Sequence, residues 1–279
     1  MTVQHTADIK DQLRLLMAEQ TRLLDLLIHE LAQKNFDDAE IDEIANTVLL
    51  MLQSMGVSVH SILRLTDTVD MAIKDCFGIA RTVSEMSINV AYIVSSDVEV
   101  ARRAKLHALQ KQFRDLKRSG AIDGMEIQIR RSVIPKTSDV PDLEKALTTF
   151  TNKKGQEIRD WTPLSLDQRI TKVGSLNKRA VTSLFGSKFA IYRHSSELLH
   201  GTYFGVLYFW TSPSGERLNR EGFEETWIQI HLVTLFTAVF FGIIGAIESC
   251  ASRFELTQFS DPIRDLTSRA LKIVDASEN

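Results

Sequence analysis

The run "YRHSSELLHG", residues 192–201, sets an arginine and two histidines among apolar neighbours, in a chain with only seven histidines. At about 100° per residue in a helix, Arg193, Glu197 and His200 share one face, with Ser196 beside them. Tyr192 precedes the arginine and His194 lies to one side. A permanent cation, a carboxylate and a titratable imidazole on one stripe suit metal-free phosphoryl chemistry. Cleavage of RNA uses the 2′-hydroxyl as an internal nucleophile, which leaves the protein two tasks. An imidazole moves the proton, because its ordinary pKa of about 6.5 lies near working pH. An arginine holds the charge that builds on the phosphate, because its planar fork matches two oxygens. Glu197 is placed to orient the His200 imidazole. The same stripe also fits a salt-bridged structural network, and both readings stand.

A second stripe lies in a helix expected over about residues 67–95, judged by its apolar period. Asp70, Lys74, Gly78, Arg81, Glu85, Asn89 and Tyr92 recur at steps of three and four, which keeps them on one face. In "IARTVSEMSINVAYIV" the only charged residues are Arg81 and Glu85. That is not the Lys/Glu mixture of a solvated face, so the stripe is expected to meet another helix, where enclosed polar groups need partners. If the two helices pack antiparallel, Arg81, Glu85 and Asn89 face Arg193, Glu197 and His200. Such a meeting encloses one polar site inside a bundle. Substrate contacts are then expected from Arg81, Glu85, Asn89, Tyr192, His194 and Ser196, with catalysis by Arg193, His200 and Glu197.

Other chemistries are set aside. The sequence holds no GxGxxG, no GxxxxGK[ST], no HExxH and no GxSxG. Histidines at i, i+6 diverge around a helix and no cysteine lies near them, so neither a metal site nor a cofactor is expected. Cys76 and Cys250 sit far apart in apolar segments and read as core residues of a reducing compartment. The N-terminus lacks a basic start followed by an apolar run, which points to a cytoplasmic protein. The formal net charge is −3, so affinity for phosphate has to come from a local patch. "ARRAKLHALQKQFRDLKR", residues 101–118, is the strongly basic stretch, with Asp115 its lone acid. Only Phe113 is there to stack on a base, so contact with a phosphate backbone would be non-specific.

Helical periodicity dominates the chain, and the expected fold is an all-α helical bundle. A helix runs over 7–34, and Asp37 followed by Glu40 resembles a capping box that starts the next. Gly56 falls inside that second helix, where a kink is open. Residues 119–160 are irregular: "RSGAIDGM" is a turn and "EIQIRRSV" reads as a short strand, so a β-hairpin or irregular insertion is expected there. "TYFGVLYFW" fits either strand or loop, and Gly201 fits a helix C-cap. "IQIHLVTLFTAVFFGIIGAI", residues 228–247, approaches the roughly 20 apolar residues that span a bilayer. Gln229 and His231 interrupt it and no basic cluster flanks it, so a buried core helix is expected, with a membrane span as the alternative. One bundle over 37–253 is expected to carry the site, with extensions at 1–36 and 254–279.

The Arg193-x6-His200 motif, with polar His194 directly after the arginine, resembles the Arg-x(4–6)-His signature of the HEPN superfamily of helical-bundle endoribonucleases. The follower is more commonly Asn. That resemblance implies a metal-independent, usually homodimeric ribonuclease acting on RNA, of a kind common in toxin–antitoxin and antiphage systems. Separately, "HSILRL", "ARTVSEMSINVAYIV", the tryptophan of "DWTPLS" and "YRHSSELLHG" look like the bacterial domain of unknown function 5677, over about residues 55–250. That family implies no activity. The competing expectation is a non-enzymatic helical module, a scaffold or binder of a nucleotide or other anion, whose Arg/Glu/Asn/His cluster is structural.

Overall fold

The computed structural model describes residues 3–130, 135–212 and 214–277. Two compact units divide the chain: residues 1–95 with 165–279, and residues 96–164. The divisions between them fall at 95/96 and 164/165, on either side of the irregular stretch. The first unit is an all-α bundle. It begins with α1 (Val3–Gln33), α2 (Ala39–Leu65) and α3 (Ile73–Val94). The second unit holds α4 (Val98–Asp115), strands β1 (Lys117–Ile122) and β2 (Met125–Arg130), and α5 (Leu143–Thr149). The bundle resumes with α6 (Leu166–Val173), α7 (Lys178–Leu199), α8 (Tyr203–Trp210) and α9 (Arg220–Thr226). A π-helical turn, Trp227–Leu232, leads into α10 (Val233–Arg253), and α11 (Ser260–Ser277) ends the described chain.

Local chemistry accounts for these boundaries. Asp38, one residue beyond the expected Asp37, caps α2, accepting from the Glu40 and Ile41 N–H groups at 2.8 and 3.3 Å. Gly56 sits inside the unbroken α2. α3 starts later than its apolar period suggests, because Asp70 turns the chain. Its carboxylate accepts from the Ala72 N–H at 2.7 Å, and its carbonyl accepts from the Trp227 indole at 2.9 Å. Ser165 and Gln168 form a reciprocal capping box on α6. "YFGVLYFW" is helical as α8, started by Thr202. In the second unit, Asp123 and Gly124 have φ of 48° and 76°. This left-handed pair closes the β1–β2 hairpin in antiparallel register.

α10 is the centre of the bundle. Phe236, Val239, Phe240, Ile243 and Ile247 have no exposed surface, so the apolar run 228–247 is core. Arg220–Arg253 and Ala39–Leu65 are each long and apolar enough to cross a membrane, by length and composition alone. The most apolar window of the first is 72% buried and that of the second 33%. The terminal helices belong to the same core. Gln20 on α1 donates to the Phe240 carbonyl at 2.7 Å in a buried position, and Arg269 on α11 makes a two-pronged contact with Glu19 at 2.7 and 3.0 Å.

Small residues let α3, α7 and α10 approach closely. Ser187 on α7 donates to the Ala238 carbonyl at 2.6 Å and lies 2.9 Å from the Ser84 hydroxyl on α3, all buried. A Cβ added at Gly242 would come within 2.9 Å of the Ser187 hydroxyl. At Gly245 it would meet Leu184 at 2.7 Å and the Ala180 carbonyl at 3.3 Å. Overpacking of this kind costs about 1–3 kcal/mol, which outweighs the gain of up to about 1 kcal/mol for replacing a helical glycine with alanine. Gly245→Ala is therefore expected to lower the melting temperature by a few degrees, since 1 kcal/mol shifts a domain of this size by about 2–4 °C. Gly186→Ala on α7, where an added Cβ meets nothing within 4 Å, is expected to leave or raise it. A differential scanning calorimetry pair reads both.

Candidate functional site

The two stripes do meet, and their register is antiparallel. An added Cβ on Gly78 would lie 3.0 Å from Leu199, Arg81 stacks its guanidinium 4.3 Å from the Tyr192 ring centroid, and Ser84 touches Ser187. Rising along α3 thus means descending along α7. Arg81 donates to Glu85 at 2.8 Å across one turn. Burial works against its charge, but the Glu85 hydrogen bond and carboxylate outweigh this and hold the guanidinium above its ordinary value. The Tyr192 ring is shared with Lys188, whose ammonium lies 5.6 Å from the centroid and 2.7 Å from Asp167 on α6. Asn89, one turn beyond Glu85, accepts from Arg169 on α6 at 2.7 Å. The early stripe is therefore satisfied by Tyr192 and α6, in pairs each worth a few tenths of a kcal/mol to about 1 kcal/mol at partly exposed positions.

That register carries the rest of the late stripe away from Glu85 and Asn89, toward the end of α7 that packs on Gly78. Arg193 is exposed and stands 5.5 Å from the Phe204 ring centroid on α8. Glu197 accepts from the Thr202 hydroxyl at 2.5 Å, and that hydroxyl also receives the Gly205 N–H at 3.2 Å to cap α8. His200 is the C-cap of α7, with an exposed side chain. Among the described residues its imidazole has no hydrogen-bond or ion-pair partner, and the Glu197 carboxylate is turned to Thr202. Ser196 is half-buried, and its carbonyl accepts from the His200 N–H at 3.0 Å. Gly201, with φ of 62°, closes the helix in a Schellman arrangement: its own N–H goes to Leu198 and that of Thr202 to Glu197. Gly205 then brings α8 against α7 so closely that a Cβ would lie 2.6 Å from the Glu197 carbonyl. Arg193 and His200 are thus set at one solvent-facing helix end by a tight turn. Glu85 and Asn89 lie up the bundle from them.

His194 takes a third direction, into the bundle. Its ring stacks on Tyr208 of α8 with centroids 4.1 Å apart and planes at 14°. Its Nδ1 is buried without a partner among the described residues, and burial, with the adjacent Arg193 charge, holds its pKa below the ordinary value. Beyond Tyr208 lies His231 on the π-helical turn, fully buried and stacked on Phe209 at 5.0 Å, with Phe77 edge-on at 5.8 Å. Among the described residues neither ring nitrogen of His231 has a hydrogen-bond partner. Burial pushes its pKa down to about 4, against a small opposing pull from the Phe209 backbone. Burial likewise raises the Tyr208 phenol. Sequence reasoning missed this cluster. Its signal was the lone histidine in an apolar run, legible as an interruption and silent about its neighbours.

A neutral His231 in the fold and an ordinary one in the unfolded chain make stability depend on pH. The unfolded imidazole gains its proton near pH 6.5 and the folded one near 4, so the unfolded state binds more protons between those values. Stability is complete above about pH 6.5 and falls as pH drops toward 4, by roughly 3 kcal/mol at pH 4 from this one group. Chemical denaturation at descending pH is expected to show this acid-linked loss in the wild type and its removal in His231→Phe. Parallel loss in both proteins would assign the effect to other groups.

Among the described residues no cluster of three or more His, Cys, Asp or Glu side chains could hold a metal ion. No curated protein and no solved structure matches the chain. Residues 45–217 match DUF5677, a family of unknown function. That span starts within α2 and runs past α8, so it contains both polar stripes, the turn after α7 and the whole of the 96–164 unit. It is more than half of the sequence, and the chain belongs to the DUF5677 family.

Proposed function

We propose that the protein is a metal-independent endoribonuclease of HEPN-like type, with Arg193 and His200 as its working pair. The observation that supports this reading is the exposed end of α7, where an arginine and an imidazole with no partner among the described residues share one helical face two turns apart. A polymeric substrate can reach both there without the bundle opening. His200 takes the proton of the RNA 2′-hydroxyl as that oxygen attacks phosphorus. The bond to the 5′-oxygen breaks, and the proton returns to that leaving oxygen. Arg193 binds the non-bridging oxygens while charge builds on them. The products are a 2′,3′-cyclic phosphate and a 5′-hydroxyl. Glu197, held by Thr202, acts here as a positioning residue for the helix end, and Arg81, Glu85 and Asn89 brace α7 from behind.

A second copy belongs to the same proposal. Phe189 is 79% exposed, Leu199 60% and Tyr203 77%, and together with Phe204 they surround the pair with uncovered apolar surface of the kind that marks an interface. The rival reading, a non-enzymatic module, draws on a different observation: the Arg81–Glu85–Tyr192 and Asn89–Arg169 groups are already paired with one another, as in a purely structural network.

The test is cleavage of a labelled RNA by purified protein in EDTA. Wild type is expected to cut, and RNA with a 2′-deoxy nucleotide at the cut position to resist. His200→Ala is expected to lose about 10²–10⁴-fold in rate, the usual contribution of a general acid–base group, and Arg193→Ala to lose activity with the melting temperature unchanged. An inactive wild type, or cleavage that survives His200→Ala, would overturn the proposal.

A further inference from the structure

The 96–164 unit holds a second feature that the α7 motif does not explain. It carries fourteen Lys and Arg residues against ten Asp and Glu, a net charge of +4 inside a chain whose total is −3. The excess is gathered at one place. A cavity of about 780 Å³ opens between the end of α4, the base of the β1–β2 hairpin and the segment around Glu157. Five cations line it, Lys111, Arg114, Lys117, Arg118 and Arg159, with Asp115 and Glu157 as the acids.

These cations are not equivalent. Arg114 is fixed at the wall: its Nε donates to Gln110 at 2.7 Å and one Nη to Thr151 at 2.8 Å, which leaves the other Nη without a partner among the described residues, in a pre-set plane. Lys111 neutralises Glu157 at 2.6 Å, and that hydrogen bond holds the Glu157 carboxyl below its ordinary range. Lys117, Arg118 and Arg159 are exposed and have no side-chain partner among the described residues. One acid is thus already spent on Lys111, and Asp115 alone stands against Arg114 and three unpaired cations. Phe113, half-buried on the same rim, offers an aromatic face.

We infer that this cavity binds the phosphodiester backbone of a single-stranded nucleic acid. A fixed guanidinium flanked by movable cations suits several phosphates in a row, and one aromatic face suits a stacked base without selecting its identity. An anionic membrane fits less well, because the cations line a concavity of about 780 Å³ and not a flat face; the exposed Ile122 and Met125 beside the hairpin turn are what the vesicle arm below tests. The site shares no residue with the α7 pair and stands whether or not that pair cuts RNA.

The experiment is fluorescence anisotropy of labelled oligouridine and of its deoxy counterpart with the full-length His200→Ala protein, so that RNA stays intact. Flotation with phosphatidylserine vesicles runs beside it. Binding of RNA, with or without DNA, is expected, and its affinity should fall with salt at a log–log slope of about −2 or steeper, as three or more single-strand phosphate contacts require. The double variant Lys117→Glu/Arg118→Glu is expected to weaken binding by at least about tenfold and to flatten that slope. Lys172→Glu/Lys272→Glu, two exposed charges on α6 and α11, makes the same change in net charge and should bind as its parent does. Circular dichroism melting checks that each variant folds, and Lys117→Gln/Arg118→Gln replaces the double reversal if it does not. Equal binding by the charge variants and the parent, or capture of vesicles without oligonucleotides, overturns the inference. Cleavage by the wild type with no binding at this cavity would refute it alone. Binding without cleavage would refute only the proposed nuclease.

Discussion

The close approach of α3, α7 and α10 is the constraint on which the rest of the bundle depends. Ser84, Ser187, Gly242 and Gly245 have side chains small enough for the three helices to touch nearly backbone to backbone. A buried hydroxyl must find partners in such a seam, and Ser187 finds two, the Ala238 carbonyl and the Ser84 hydroxyl. This locks the register of α7 on α3. With the register set, Arg81 falls on Tyr192, Gly78 falls on Leu199, and His200, the C-cap one residue further on, is exposed to solvent.

Function, on this account, follows from which groups the register leaves without partners. Polar side chains along the α3–α7–α6 seam are matched to one another, and they rigidify the face on which α7 rests. At the end of α7 the matching stops. Thr202 draws off Glu197, Gly201 turns the chain, and Gly205 allows α8 to fold back, so Arg193 and His200 stay open. His194, between them in sequence, turns inward to Tyr208. Three successive helical directions give three fates to neighbouring residues: a braced tyrosine, an open arginine and a half-buried imidazole turned inward.

Much of this was legible in the sequence, and the failures have physical causes. The apolar period located the helices, and the 228–247 run was readable as core because polar residues interrupt it without basic flanks. Both polar stripes were visible as periodic departures from an apolar pattern. Their register was not, because it is set by serines and glycines, which carry no periodic signal of their own. The enclosed site expected from facing stripes therefore resolves into a paired network and an open helix end. α8 was ambiguous since "YFGVLYFW" has aromatic and β-branched residues that suit strands, and the Thr202 cap decides it. The 96–164 unit was seen as an irregular insertion with a basic helix. Its cavity needed the hairpin to fold back beside α4, which local pattern does not report.

The central claim is a division of labour along α7, with bracing at Tyr192 and chemistry at His200. The most direct measurement is a paired one: unfolding free energy and RNA cleavage per folded molecule, for Glu85→Gln and His200→Gln side by side. The account predicts that Glu85→Gln lowers stability while each folded molecule retains most of its cleavage, and that His200→Gln keeps its stability and loses cleavage. A His200→Gln protein that unfolds readily, or a stable Glu85→Gln protein that has lost all activity, would contradict it.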